Sequence, residues 1–191
     1  MPRVRNGRRK TKRFIRNIAF RQLLYLALKI FCKSQMNMDT INKDDFLKDV
    51  LLILRETFEG SLEGQGSAYL DRGVGVFVTL EKLSAEQVSR QINGTTIVAH
   101  TEHFKFYLDR LCEFIEGRTE PVNWEQSWLI EEVNEIEWNA LRGVVRKAYE
   151  NVLLTFADVK MWNQGNIGDA VAIIAHTAYH LGAIRQMAKN L

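Results

Sequence analysis

From about residue 40 onward, apolar residues recur every three to four positions and polar residues fill the gaps, a period that lines one side of a helix. Residues 44–59 show it with Phe46, Leu47, Val50, Leu51, Ile53 and Leu54, and Asp44 and Asp45 sit where the helix dipole favours negative charge. The glycine-rich stretches 60–67 and 71–75 read as loops. A short helix is expected within residues 76–92, with Ser84 as its cap and Glu86 and Gln87 in its first turn. The run 73–79 has the β-branched and aromatic content of a short strand, but is read here as loop or helix start.

A second long helix is expected to start at Asn93-Gly94-Thr95-Thr96, run to about residue 116 and stop at Gly117. Its core stripe is Ile97, His100, Phe104, Leu108, Leu111 and Ile115; His103, Tyr107 and Phe114 lie about sixty degrees around it. Residues 133–159 form the third long helix, carrying Trp138, Leu141, Val144, Val145, Tyr149, Val152, Leu153 and Phe156. After a turn at 165–168, the fourth runs over 169–189 with the stripe Ile173, His176, His180, Ile184 and Met187. Four long amphipathic helices with almost no strand signal predict an all-α four-helix bundle with a crossover between the second and third.

Charge divides the chain. Residues 1–37 hold eleven Lys or Arg and no Asp or Glu, which leaves 15 basic against 23 acidic residues beyond them. The overall net charge of +3 therefore describes neither part, and it gives no ground for a nucleic-acid-binding main domain. The basic stretch fits an interfacial amphipathic helix or a transit segment better than a secretory signal, and its apolar part is too short and too charged to span a bilayer. It also fits a translated upstream stretch, since Met36 and Met38 stand at the composition break. The expected domains are thus a basic extension over 1–37, on which no function is rested, and one bundle over 38–191. Cys32 and Cys112 suggest no disulfide framework, so the cytoplasm is the expected compartment.

The four histidines are two pairs, His100 with His103 and His176 with His180, inside the second and fourth long helices. Spacings of three and four place both members of a pair on one face. A lone histidine on an apolar face is most simply a satisfied core residue. The chain's whole complement in two such pairs points instead to a divalent metal, because neutral imidazole suits zinc, nickel, copper or iron. Three imidazoles leave a position open for water or substrate, whereas four close a structural site. By helical geometry alone, His100 lies more squarely on the core stripe than His103. Glu102 could hydrogen-bond a ligand histidine, but a solvated helix face is the preferred reading. Trp124 and Trp128 either line a pocket mouth or anchor the loop over the bundle end. There is no GxGxxG, P-loop or HExxH, and Ser127 and Cys112 lack a local nucleophile signature.

The segment Ala175-His176-Thr-Ala-Tyr-His180-Leu-Gly182-Ala-Ile184-Arg185-Gln186 resembles the H-x3-H-x-G pattern of the DinB-like family of metal-binding four-helix bundles, which includes thiol-dependent S-transferases. The Asn-Trp-x2-Ser-Trp loop at 123–128 is also similar to a subgroup of that family. The resemblance spans residues 40–191. In the family the first ligand follows a Ser or Thr by seven residues, and counting from Thr96 reaches His103. The resemblance thus implies His103, His176 and His180 as ligands, with His100 as alternate or neighbouring ligand. It implies a metal-dependent thiol S-transferase or hydrolase acting on a small molecule, with Zn, Ni and Fe undistinguished and a low-molecular-weight thiol as co-substrate of a transferase. The alternative is a non-catalytic metal-binding or stress-associated bundle. A homodimer is compatible with it; a nucleic-acid or membrane partner would act only through the basic extension.

Overall fold

The computed structural model describes residues 42–61 and 67–191, and the expectations for the extension 1–37 lie outside them. The described residues are mostly helical, with no β-strand among them. In chain order the helices are α1 (Lys43–Glu59), α2 (Val76–Glu81), α3 (Ala85–Ser89), α4 (Ile97–Ile115), α5 (Glu135–Asp158) and α6 (Gln164–Ala188), with a 3-10 turn at Trp124–Ser127. The ambiguous run 73–79 resolves as loop followed by the start of α2.

α4 is the centre of the fold. It packs most extensively against α6 and next against α5, while α1 packs on α6 and α2. No residue from 96 to 115 is fully exposed, as expected of a helix with neighbours on more than one side. Its apolar stripe is buried at Ile97, Phe104, Leu108 and Leu111, and partly buried at His100 and Ile115. Across the core, Phe58 of α1 stacks on Tyr149 of α5 with ring centroids 4.6 Å apart. Trp138 is fully buried and its indole N–H donates to the Leu83 carbonyl at 2.8 Å, which fixes the start of α5 against the turn between α2 and α3.

The caps explain where helices begin. Ser84 and Gln87 form a reciprocal capping box at α3, and Asn134 and Glu137 form one at α5. Asn93-Gly94 does not open α4. Both residues have positive φ, 53° and 82°, and they close a tight turn that pairs Ile92 with Thr95, so that Thr96 becomes the cap. α6 starts five residues earlier than the apolar stripe suggests. Asn163 accepts hydrogen bonds from the Gly165 and Asn166 amides, and Asn166 answers the Asn163 amide. The expected turn at 165–168 is therefore the first turn of the helix, where glycine is tolerated at an exposed end.

A second local feature is a buried carboxylate. Glu56 on α1 accepts from the Ser67 hydroxyl and from the amides of Ala68, Tyr69 and Leu70 at 2.6–2.9 Å. The chain entering and leaving this loop meets backbone to backbone: a Cβ on Gly75 would lie 2.6 Å from the Gly60 amide nitrogen, so only glycine fits.

α6 is long and apolar enough, by length and composition, to cross a membrane. The same helix buries Ala170, Ile173, Thr177, His180, Leu181, Ile184 and Met187 within the fold.

Candidate metal centre

The pairing of α4 with α6 brings the two histidine pairs face to face. Ring centroids are 5.0 Å apart for His103 and His176, 4.8 Å for His103 and His180, and 4.5 Å for His176 and His180. One ring nitrogen from each of these three residues lies within 4.8 Å of the other two. Three ligands bound tetrahedrally at about 2.0 Å would be about 3.3 Å apart. The group is thus slightly more open than a loaded site, by an amount that small side-chain rotations close. His100 stands outside this triangle, and its ring centroid is 5.1 Å from that of His180.

Each imidazole is held from its far side. The Ser127 hydroxyl donates to the Trp124 carbonyl at 2.6 Å, which uses its only proton. The 2.7 Å contact between His103 Nδ1 and Ser127 Oγ is therefore a bond donated by the histidine, and the lone pair of the neutral ring falls on Nε2. His103 also stacks on Trp128, with centroids 4.1 Å apart and planes 17° apart. His176 stacks in the same way on Tyr107 at 3.7 Å. Its Nε2 is buried and has no hydrogen-bond partner. A buried ring nitrogen without a partner is an uncommon and unfavourable state for a folded protein, and a metal ion accepting its lone pair would relieve it. His180, only 2% exposed, has its Nδ1 2.8 Å from His100 Nδ1.

Electrostatics keep these rings neutral. Burial pulls His180 down to about 3 and His176 down to about 4, and neighbouring imidazoles add to the shift. His100 and His103 are also lowered, again chiefly by burial. At neutral pH all four are uncharged, the state in which imidazole binds metal.

The connector between α4 and α5 completes the site. Asn123 caps the 3-10 turn that carries Ser127. Glu102, expected on a solvated face or against a histidine, does neither: it is half-buried and accepts from the Leu129 and Ile130 amides at 2.9 and 2.7 Å. It thereby ties the chain just beyond Trp128 to α4. Trp124 packs against Tyr107 and Phe106, so both tryptophans anchor the loop while remaining 40% and 42% exposed at the site's rim.

Sequence reasoning placed the four histidines together but missed Ser127 as a partner of His103 and Tyr107 as the platform for His176. The first was findable in principle, since the Asn-Trp-x2-Ser-Trp spacing puts Ser127 and Trp128 in one tight turn. Comparison with known proteins returns no matching family model, no matching characterised protein and no matching solved structure.

Proposed function

We propose that residues 38–191 form a DinB-like four-helix bundle with a crossover connection, and that His103, His176 and His180 hold one divalent metal ion in it. The observation that carries this reading is the convergence of three neutral imidazole nitrogens within 4.8 Å, one residue of the three having a buried ring nitrogen without a partner. Borderline nitrogen ligands suit zinc, nickel or iron. In this reading the protein is cytoplasmic and α6 is a bundle helix, which the burial of Ile173, Thr177, His180, Leu181 and Ile184 within the fold supports.

The catalytic form of the reading is a metal-dependent thiol S-transferase or hydrolase. It is supported by a ligand set of three rather than four, with exposed tryptophan at the rim, which leaves a coordination position for a small molecule. When bound, the ion supplies a Lewis acid that lowers the pKa of a water or a thiol. The chain's own part is to hold three rings in their neutral form, to fix His103 through Ser127, and to shield the cluster with Trp128 and Tyr107.

Metal analysis of purified protein tests the core of the proposal, with one equivalent of bound zinc, nickel or iron expected. A thiol panel, offered with an electrophile, then separates transferase from non-catalytic bundle. Protein that neither retains nor takes up a divalent ion would refute the metal-centre reading.

A further inference from the structure

His100 is the histidine without an assigned task. It lies on the core stripe of α4, yet the three nitrogens that converge belong to the other histidines. Its Nδ1 meets His180 Nδ1 at 2.8 Å, and its ring lies edge-on to Trp128, 5.4 Å away and at 84°. Two neutral imidazoles in that contact share one proton: one nitrogen donates and the other accepts. We propose that His100 is a positioning residue, the acceptor that keeps the proton of His180 on Nδ1 and so presents His180 Nε2 to the metal ion. This rests on the metal-centre reading above.

Three observations support it. His180 is almost fully buried, so water is not at hand to satisfy Nδ1 and a protein group must choose its tautomer. A 2.8 Å nitrogen–nitrogen separation is a hydrogen bond, shorter than the roughly 3.3 Å expected between two ligands of one tetrahedral ion. And His103 is already held this way, its Nδ1 proton given to Ser127. The His-x2-His spacing on α4 then has a clear use. One member binds the ion, while the other braces the ligand that α6 contributes, so α4 reaches both sides of the same centre.

The test uses full-length protein titrated with Co(II), with Zn(II) affinity measured by competition against a chelator. His100→Leu keeps apolar volume but removes the acceptor. His100→Asn places an amide oxygen near the position of Nδ1. The expected result for His100→Leu is one Co(II) per chain with an unchanged visible absorption band, and Zn(II) affinity weaker by roughly 10–100-fold. His100→Asn should recover most of that loss. Long-range 15N–1H spectra of the zinc-bound wild-type protein should show His180 protonated on Nδ1, a readout that no packing role would move and that does not depend on a variant folding. Loss of stoichiometry or a shifted band in His100→Leu would make His100 a ligand and overturn the proposal. Unchanged affinity, or an Nε2-protonated His180, would overturn it as well. If wild-type protein binds no Co(II) or Zn(II), the metal-centre reading itself falls, an outcome distinct from all of these.

Discussion

Two buried polar groups in this fold are treated in opposite ways. Glu56 is 5% exposed, and its carboxylate receives four hydrogen bonds from one short stretch of chain. Burial alone would raise its pKa, but the Ser67 hydroxyl and the Leu70, Tyr69 and Ala68 amides outweigh that and hold it at about 2. The histidine cluster is different: one of its ring nitrogens, His176 Nε2, is buried with no hydrogen-bond partner, and burial lowers the pKa values of His176 and His180 instead. A carboxylate whose acceptors are all used is complete within the chain and fastens a loop. Neutral bases that face one another are complete only when something from outside accepts their lone pairs. A carboxylate satisfied by its own loop, against a buried ring nitrogen of His176 left without a partner, is what separates a structural group from a candidate site here.

The comparison breaks most visibly at the ligands. His103→Ala, His176→Ala and His180→Ala should each take metal content from about one equivalent to near zero, because two imidazoles hold a divalent ion poorly. Wild-type protein should melt lower after chelation, with about 2.7 kcal/mol of stabilisation lost relative to free metal at a hundred times Kd. Equal metal content and an unchanged melting curve in His180→Ala would return these residues to ordinary core packing.

Glu56→Ala should have the opposite profile. It removes the acceptor of three amides and a hydroxyl, and hydrogen bonds to a charged group contribute about 1.5–3 kcal/mol each before solvent replaces some of them. Since Ala68 and Tyr69 are exposed, the net loss expected is about 3 kcal/mol, read as a lower denaturation midpoint, with metal affinity unchanged. A drop in metal affinity as large as that of a ligand variant would show that the two regions are not separate in function.

The sequence was informative where one local rule acted alone. The stripes of α1, α4, α5 and α6 and the cap at Ser84 follow from periodicity and side-chain chemistry, and they were legible. The start of α6 was not, because Gly165 and Gly168 read as a turn while the deciding signal was a capping box built from two asparagines. Asn93-Gly94 misled for the converse reason, being a turn that looked like a helix entry. Glu56 was invisible as a buried residue, since nothing local says that a loop more than ten positions ahead will fold back over it. Within the site, the residue types and the helical spacing brought the histidines together. Between His100 and His103, helical geometry pointed to His100 and the family spacing counted from Thr96 to His103, the residue that groups with His176 and His180; which ring nitrogen meets which partner is encoded by no one-dimensional pattern.

Acid should separate the two regions by pH. In the unfolded chain a histidine titrates near 6.5, whereas His176 and His180 fold with values of about 4 and about 3. Between those limits the unfolded state takes up protons that the folded state refuses, so stability falls as pH drops below about 6.5. The Glu56 contribution has the depressed-carboxylate sign: it is intact above about 4.5 and disappears only as pH falls toward about 2. Urea denaturation of metal-free protein between pH 7.5 and 5 should thus show a declining midpoint that declines less in a His176→Gln, His180→Gln double variant, where only His100 and His103 still add to the slope. A flat profile in the wild-type protein would mean that the rings are not neutral and buried in solution.

The smallest effect expected is that of Ser127→Ala, and it is the finest probe of the contrast. Ser127 has its hydroxyl proton committed to the Trp124 carbonyl and offers only its oxygen to His103. Removing that oxygen leaves the His103 imidazole stacked on Trp128, so the ring stays in place, but nothing then selects which nitrogen is protonated. Metal stoichiometry should remain at one, with affinity weaker by roughly 10-fold, the lower end of what losing such a partner costs. Stability of the metal-free protein should fall by about 2 kcal/mol, the two hydrogen bonds of the lost hydroxyl at about 1 kcal/mol each. A variant that loses that stability and keeps full affinity would place Ser127 with Glu56, as a fastener of its loop. One that loses affinity beyond its loss of stability would place it with the histidines.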